Sequence, residues 1–163
     1  MSGLIPEFTF SDITKRVDKF QKERIKKCFE VLSYIGIESV KFAKKYHGYQ
    51  DQTGNLTSSI GYAIIYDGEI KSTYGGGTAE VVKDLTGKTK KVKSTVEGRH
   101  GAVKIVTELA HRYPKGMILV IVAGMEYAAA VESKGYDVIT GSSLFADIEL
   151  LPFMREKLGA AFS

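Results

Sequence analysis

A helical pattern more than 30 residues long is the feature that most constrains the fold of this chain. From Asp12 to His47 apolar residues recur every three or four positions, and charged residues occupy the opposite face. Ser11 or Asp12 is suited to cap the start of this helix, Gly48 is suited to end it, and Gly36 is a candidate kink. A helix this long in a chain of 163 residues needs a partner surface, either a sheet or a neighbouring subunit.

Strand patterns follow the long helix. Residues 60–66 alternate in the way that a strand requires, and Asp67-Gly68 predicts a two-residue hairpin turn because Gly tolerates positive φ. Residues 69–74 then form the returning strand. Met117–Ala123 is a short apolar run typical of a buried strand, and Val138-Ile139 predicts one further short strand.

The remaining segments complete a single predicted domain over residues 1–163. A second helix is expected from Ala102, and a C-terminal helix within Ser143–Leu158. Residues 1–10 are interpreted as an extended arm, and residues 75–101 as a long flexible loop rich in Gly and Lys. The order of elements predicts an α+β fold with a long N-terminal helix, a small and mostly antiparallel sheet, a second helix and a C-terminal helix.

Composition narrows the class of protein. The chain is 44% apolar and 26% charged, which is typical of a globular domain. No apolar run approaches the roughly 18 residues that a membrane helix requires, and residues 1–10 do not resemble a secretory signal. We therefore expect synthesis in the cytoplasm. Cys28 is the single cysteine, which excludes an intrachain disulfide and indicates a buried structural thiol.

The net charge of +4 is unevenly distributed. Residues 12–27 contain seven basic and three acidic side chains, and residues 83–93 contain five lysines and one aspartate. The rest of the chain is therefore acidic by four charges. The two basic segments are either solvated surfaces or sites that face nucleic acid or an acidic protein. The candidate DNA-facing side chains are Lys83, Lys88, Lys90, Lys91 and Lys93.

No segment carries a convincing catalytic set. Residues 86–89 read Thr-Gly-Lys-Thr, but the phosphate-binding loop needs a glycine where this chain has Val82. Asp51 precedes Gln-Thr-Gly rather than the Thr-Gly of an aspartic protease. The histidines lack metal-ligand spacing. We expect no enzyme activity, cofactor or metal, although a small hydrolase that uses Asp51 with His47 or Glu132 is an alternative.

Two short segments have structural interpretations. In the segment YQDQTGNLTSSIGYAI, Asp51 can accept backbone N–H bonds in a turn that also contains Thr53, while Gly54 supplies backbone freedom and Leu56 anchors the turn in the core. In residues 126–132, small apolar residues follow a strand and a glycine. That segment is either a packed turn or a close-packing subunit surface, for which the candidate contact residues are Tyr127, Ala128, Val131 and Glu132.

Three stretches resemble one family, the neck or tail-completion proteins of long-tailed bacteriophages. Residues 51–60, DQTGNLTSSI, are similar to its Asp-x-Thr-Gly-x-Leu-x-x-Ser-Ile signature. Residues 122–132, VAGMEYAAAVE, are similar to a strand followed by Tyr-Ala-x-x-Val-Glu, and residues 152–155, PFMR, to Pro-Phe-Leu-Arg. The chain departs from the family at residues 49–50, where many members have Pro-Val, and at residues 133–136, where many have Gly-Thr.

The resemblance implies a non-enzymatic virion protein of a phage or prophage. Such proteins form homo-oligomeric rings at the head–tail junction or at the head-proximal end of the tail. The expected partners are further copies of this chain, other neck, connector or tail proteins, and DNA that passes through the lumen without sequence-specific contact. The protein would be made in the bacterial cytoplasm and end in the virion. The alternative from the charge pattern is a stand-alone nucleic-acid-binding protein that uses its Lys-rich loop.

Overall fold

The computed structural model describes residues 9–49, 55–75, 82–83, 89–90 and 96–162. These residues form an α+β fold, which confirms the predicted class. The elements in chain order are α1 (Phe10–Lys45), α2 (Asn55–Ser59), β1 (Ile60–Tyr66), β2 (Glu69–Gly75), β3 (Val82–Lys83), β4 (Thr89–Lys90), α3 (Val96–Arg112), β5 (Met117–Ala123), α4 (Ala128–Ser133), α5 (Thr140–Phe145), a π-helical turn (Ala146–Leu150) and α6 (Leu151–Phe162).

The main sheet has three antiparallel strands in the order β2-β1-β5. Tyr62 of the central strand lies opposite Tyr74 on one side and Ile121 on the other. The predicted hairpin turn is confirmed, since Asp67 and Gly68 have φ values of 49° and 76°. The Asp67 carboxylate also accepts the backbone N–H of Gly116 at 2.9 Å, which ties the hairpin to the start of β5.

Helices cover both faces of this sheet. Ile60, Tyr62 and Ile64 of β1 point into the core that α1 closes. Ala63 and Ile65, the alternate residues, pack with Ala102, Val106 and Ala110 of α3. Because successive side chains of a strand point to opposite faces, a strand buried on both sides must be apolar at nearly every position. This explains the unbroken apolar character of β1.

The start of α1 differs from the sequence prediction by a few residues. Thr9 is the N-cap, and neither Ser11 nor Asp12 occupies that position. Asp12 is instead the third residue of a capping box: its backbone N–H bonds the Thr9 hydroxyl at 3.3 Å, and its carboxylate accepts the Thr9 N–H at 3.0 Å. The Thr9 hydroxyl also donates to this carboxylate at 2.6 Å, and this bond, together with the Thr9 N–H bond, lowers the pKa of Asp12. The helix ends at Lys45, before Gly48.

The helix continues through Gly36 without a break in its assigned range. The absent side chain at Gly36 leaves room for the Tyr62 ring, which lies directly against the helix backbone. The long helix therefore finds its partner surface in the sheet, at the central strand. The glycine permits close approach, which is a different role from the predicted kink.

Two other predictions require correction. Val138-Ile139 does not form a strand; Val138 is buried in the core and Ile139 is the N-cap of α5. The predicted loop 75–101 is also too long, because Gly75 belongs to β2 and α3 begins at Val96 rather than Ala102. Within that loop β3 and β4 pair as a two-residue ladder. Residues 76–81, 84–88 and 91–95 lie outside the described residues, as do residues 1–8 of the arm predicted over 1–10. The end of that arm is wrong, because Thr9 caps α1 and Phe10 belongs to the helix.

The C-terminal helical region is longer than predicted. It begins at Thr140 and extends to Phe162, with a π-helical turn at Ala146–Leu150 between two α-helical parts. In this turn the Leu151 N–H bonds the Ala146 carbonyl, one residue beyond the α-helical partner. The turn precedes Pro152, which has no N–H and whose ring clashes with the carbonyl four residues earlier in a regular helix. The wider turn accommodates this proline within a continuous helical segment.

Candidate assembly surface

The first two family-like segments meet at one end of the sheet. The N–H of Gly124 donates to the Ser59 carbonyl at 3.2 Å, and Ile60 lies opposite Ala123 in the β1–β5 ladder. The Ser59 hydroxyl is buried and donates to the Leu56 carbonyl at 2.7 Å. Leu56 itself is only 2% exposed. The polar groups of Ser59 and the N–H of Gly124 are therefore used for internal hydrogen bonds.

The turn residues Asp51, Thr53 and Gly54 lie outside the described residues, so their predicted role stays a prediction. The chain on either side of the turn is held together. The Tyr49 hydroxyl lies 3.2 Å from the Thr57 hydroxyl, and the short helix α2 leads from the turn into β1. His47 stacks on the Tyr49 ring, and its Nδ1 atom lies 2.9 Å from the Tyr49 carbonyl oxygen.

The second segment forms α4 and supports the start of α5. Ala128 is 7% exposed and belongs to the core, Val131 is half-buried, and Tyr127 has an exposed ring. The Glu132 carboxylate accepts the Thr140 N–H at 3.0 Å and also bonds the Thr140 hydroxyl. Of the four candidate contact residues, Tyr127 is thus the one that the fold leaves exposed, while Glu132 satisfies a free N–H at the start of α5.

Asp137 has a related role at the same helix start. Its carboxylate accepts the Gly141 N–H at 2.8 Å. A Cβ atom on Gly141 would lie 2.0 Å from the Asp137 Oδ2 atom, so a larger residue would require this carboxylate to move. The sequence gives no sign of the hydrogen bond between the Glu132 carboxylate and Thr140. This bond joins the end of α4 to the start of α5 across an irregular connection.

The third segment fixes α6 on α1. The Phe153 ring lies 4.9 Å from the Tyr34 ring, measured between centroids. Met154 and Leu158 pack against the cluster of Val31, Ile35 and Leu150. This is a helix-on-helix contact built from residues spaced three or four apart on both helices.

The Lys-rich segment is only partly described. Lys83 lies opposite Thr89, and Lys90 opposite Val82, in the β3–β4 ladder. Lys88, Lys91 and Lys93 lie outside the described residues. The predicted DNA-facing role of these five lysines therefore stays a prediction.

An exposed apolar stripe lies on the first part of α1. Every described residue from Thr9 to Glu23 is exposed, so this part of α1 projects from the domain. Its apolar residues recur on one side of the helix and are 42–85% exposed: Phe10, Ile13, Val17 and Phe20. We call these four residues the α1 stripe. The sequence signal for this exposure was the length of the helix, because its apolar side is longer than a three-stranded sheet covers.

A groove lined mostly by apolar side chains lies between the sheet and the C-terminal helices. Its cavity volume is about 530 Å³. Leu144 and Ile148, which neighbour the lining residues Ser143 and Asp147 in the chain, are 58% and 68% exposed. Asp147 is the charged residue of the lining, which otherwise consists of Leu32, Ile35, Leu119, Ile121, Ile139, Thr140, Ser143, Ala146, Leu151 and Met154. We call this surface, with Leu144 and Ile148, the groove.

The candidate metal, membrane and catalytic sites have less support than these apolar surfaces. Within the described residues no His, Cys, Asp or Glu side chains form a group that could hold a metal ion, and none of the described helices combines the length and apolarity needed to cross a membrane. Two members of the alternative hydrolase set, His47 and Glu132, have the structural partners given above, while Asp51 lies outside the described part. Cys28 is half-buried on α1.

Comparison with models of protein families, with curated proteins and with solved structures finds no match for this chain.

Proposed function

We propose that this chain is a structural virion protein of a tailed bacteriophage or prophage, and that it forms a homo-oligomeric ring at the head–tail junction or at the head-proximal end of the tail. The observation that carries this proposal is the presence, in order, of the three family-like segments at residues 51–60, 122–132 and 152–155. The described residues of these three segments lie where elements of the fold contact each other. The first two meet through the Gly124–Ser59 hydrogen bond, and the third fixes α6 on α1.

The α1 stripe supports an oligomer independently of the resemblance. Four large apolar side chains on one side of a projecting helix are 42–85% exposed, even though the Arg24 guanidinium lies over the Phe20 ring. Monomeric proteins expose single apolar residues routinely, but a continuous exposed stripe commonly marks an interaction surface. A ring covers such a stripe with a neighbouring copy.

The basic segments motivate the proposed contact with DNA. Lysines around the β3–β4 ladder would bind phosphates without reading sequence if they lined the lumen of a ring. Replacing Lys83, Lys88, Lys90, Lys91 and Lys93 by glutamine should then impair DNA retention or ejection while ring formation persists. Unchanged retention and ejection would remove the lumen role and leave the ring proposal intact.

A stand-alone nucleic-acid-binding protein is the second candidate, favoured by the basic residues of α1 and of the Lys-rich segment. It predicts a monomer or dimer whose affinity for DNA falls steeply with salt. The two candidates differ in their dependence on assembly: the ring protein acts only as an oligomer, whereas the stand-alone protein binds DNA as the isolated chain.

Deletion of the gene from the phage or prophage that encodes this chain tests the proposal. We expect lysates that contain separate filled heads and tails, or tails with an incomplete head-proximal end, when viewed by electron microscopy. Supplying the wild-type chain from a plasmid should restore joined, infectious particles, and mass spectrometry should detect the chain in purified virions. Joined and infectious particles in its absence, or virions that lack the chain, would contradict the proposal.

A further inference from the structure

The buried apolar residues of α1 and the exposed α1 stripe lie on the same side of the helix. Val31 and Ile35 pack on α6 through Leu150 and its neighbours. Ile13 lies 18 residues before Val31, and Val17 lies 18 residues before Ile35. Because 18 residues make five full turns of an α-helix, each pair falls on the same side of α1. The α1 stripe therefore extends the apolar side of α1 that packs, further along the helix, against the α5–α6 region.

The groove has apolar chemistry that suits the α1 stripe. Its lining is mostly apolar, and the exposed side chains of Leu144 and Ile148 follow the lining residues Ser143 and Asp147 in the chain. A volume of about 530 Å³ is large enough to receive bulky side chains, as it falls within the range of ligand pockets. The groove thus offers cover for the kind of side chains that the α1 stripe leaves exposed.

The chain segments that carry the two surfaces have opposite net charges. Residues 12–27 carry a net charge of +4, and residues 117–151, which supply much of the groove, carry five acidic side chains and one lysine. Asp147 lies in the groove lining, and Glu149 is exposed close to it in the chain. Neither carboxylate forms an ion pair with another described residue. On the stripe side, Arg16 lies three residues after Ile13 and four before Phe20, beside the apolar residues.

These observations distinguish between two kinds of self-contact. A symmetric contact of α1 with α1 would bring +4 against +4, and like charges placed together oppose binding. A heterologous contact, in which one surface meets a different surface of the next copy, brings the basic stripe against the acidic groove. Heterologous contacts generate rings when the rotation between copies closes.

We propose that the α1 stripe of one copy docks into the groove of a second copy. This inference rests on the proposed function, which requires contacts between copies, and it adds the two surfaces that meet. Phe20 and Val17 would be the central apolar contacts, and Arg16 would lie near Asp147 of the neighbour. Each copy supplies one stripe and one groove, so the contact repeats around a ring.

Cysteine cross-linking of the full chain tests which surfaces meet. Two variants are made in a Cys28→Ser background, one with Val17→Cys and one with Ile148→Cys, and each is treated with a short bismaleimide. We expect cross-linked dimers when the two variants are mixed and little cross-linking of either variant alone. A matched control pairs Val17→Cys with Lys104→Cys on α3, an exposed position outside the groove, and should not cross-link.

Light scattering on the same samples separates the possible failures. An oligomer in which Val17→Cys cross-links to itself, or in which the mixed variants do not cross-link, would overturn the docking inference and leave the ring proposal standing. A monomer in every sample, including samples with purified neck or tail proteins, would overturn both. Circular dichroism confirms that each variant is folded before these outcomes are compared.

Charge exchange provides a second test. Arg16→Glu or Asp147→Arg alone should weaken self-association by about tenfold or more, because each places like charges across the contact. Combining both changes in one chain restores opposite charges and should recover most of the affinity. Additive weakening in the double variant, measured by sedimentation velocity, would contradict this pairing.

Discussion

The Tyr62 ring lies directly against Gly36 of α1. A Cβ atom added to Gly36 would lie 2.6 Å from the Tyr62 Cγ atom, which is closer than real side-chain contacts allow. Tyr62 is 3% exposed and stacks on Tyr74 with 5.8 Å between ring centroids. This contact joins the long helix to the central strand, so the packing of the fold depends on it.

Substitution of Gly36 should therefore destabilise the fold. Gly36→Ala forces the helix and the Tyr62 ring apart, and we expect a loss of about 1–3 kcal/mol in the free energy of unfolding. Gly159→Ala in α6 is the matched control, because its added Cβ atom would meet nothing within 4 Å. That control should be neutral or stabilising by up to about 1 kcal/mol. Urea denaturation measures both, and equal effects would contradict the packing account.

The stability should fall in alkaline solution because of Tyr62. Burial raises the pKa of Tyr62 above its ordinary value of 10.0. A pKa that is higher in the folded than in the unfolded state favours folding fully below about pH 10, and this contribution is lost as pH rises through the folded pKa. Tyr62→Phe should show a shallower fall in the urea midpoint from about pH 8 to about pH 11. An identical pH dependence in the two proteins would contradict this assignment.

Removal of the Ser39 hydroxyl should not destabilise the protein. Ser39 is fully buried, and its Oγ atom is the one buried side-chain polar atom without a hydrogen-bond partner in the described part of the chain. Ser39→Ala should leave stability unchanged or raise it by about 1 kcal/mol, since an unpaired buried hydroxyl costs free energy. Ser59→Ala, which removes the bond to the Leu56 carbonyl, should cost about 1 kcal/mol. Thermal unfolding of the two variants checks the difference in sign.

Glu132 should matter for stability before it matters for any subunit contact. Glu132→Ala leaves the Thr140 N–H without its partner at the start of α5, at an expected cost of about 1–2 kcal/mol. Glu126→Ala, an exposed carboxylate in the same connection, should change stability by less than about 0.5 kcal/mol. Unfolding of the dilute monomer measures this. A Glu132→Ala variant with normal monomer stability but weakened assembly would show that its main role lies between copies.

The strands of the main sheet were largely predictable because their signals are local. Alternation in β1, the Asp67-Gly68 turn and the apolar run of β5 each depend on neighbouring residues. Val138-Ile139 has the same β-branched signal but no strand to pair with. Its side chains fill the core and the groove instead, because strand propensity measures fit to a half-buried surface rather than hydrogen-bonded pairing.

The positions that were missed depend on contacts distant in sequence. Gly101 reads as a loop residue, yet it lies in α3, where a Cβ atom would come within 2.2 Å of the Gly124 carbonyl oxygen. Gly36 is likewise a glycine because of Tyr62. The exposure of the α1 stripe also depends on distant contacts. Its periodicity was visible in the sequence, but only the folded chain shows that the sheet does not reach these residues.

The mass of the assembled protein shows directly whether this chain forms a ring. Multi-angle light scattering of the full chain, alone and with purified neck or tail proteins, gives the number of copies in the particle. The account predicts a closed oligomer with a mass that is a fixed multiple of the chain mass, and ring-shaped particles in negative stain. A protein that stays monomeric at every concentration and with every such partner would contradict it.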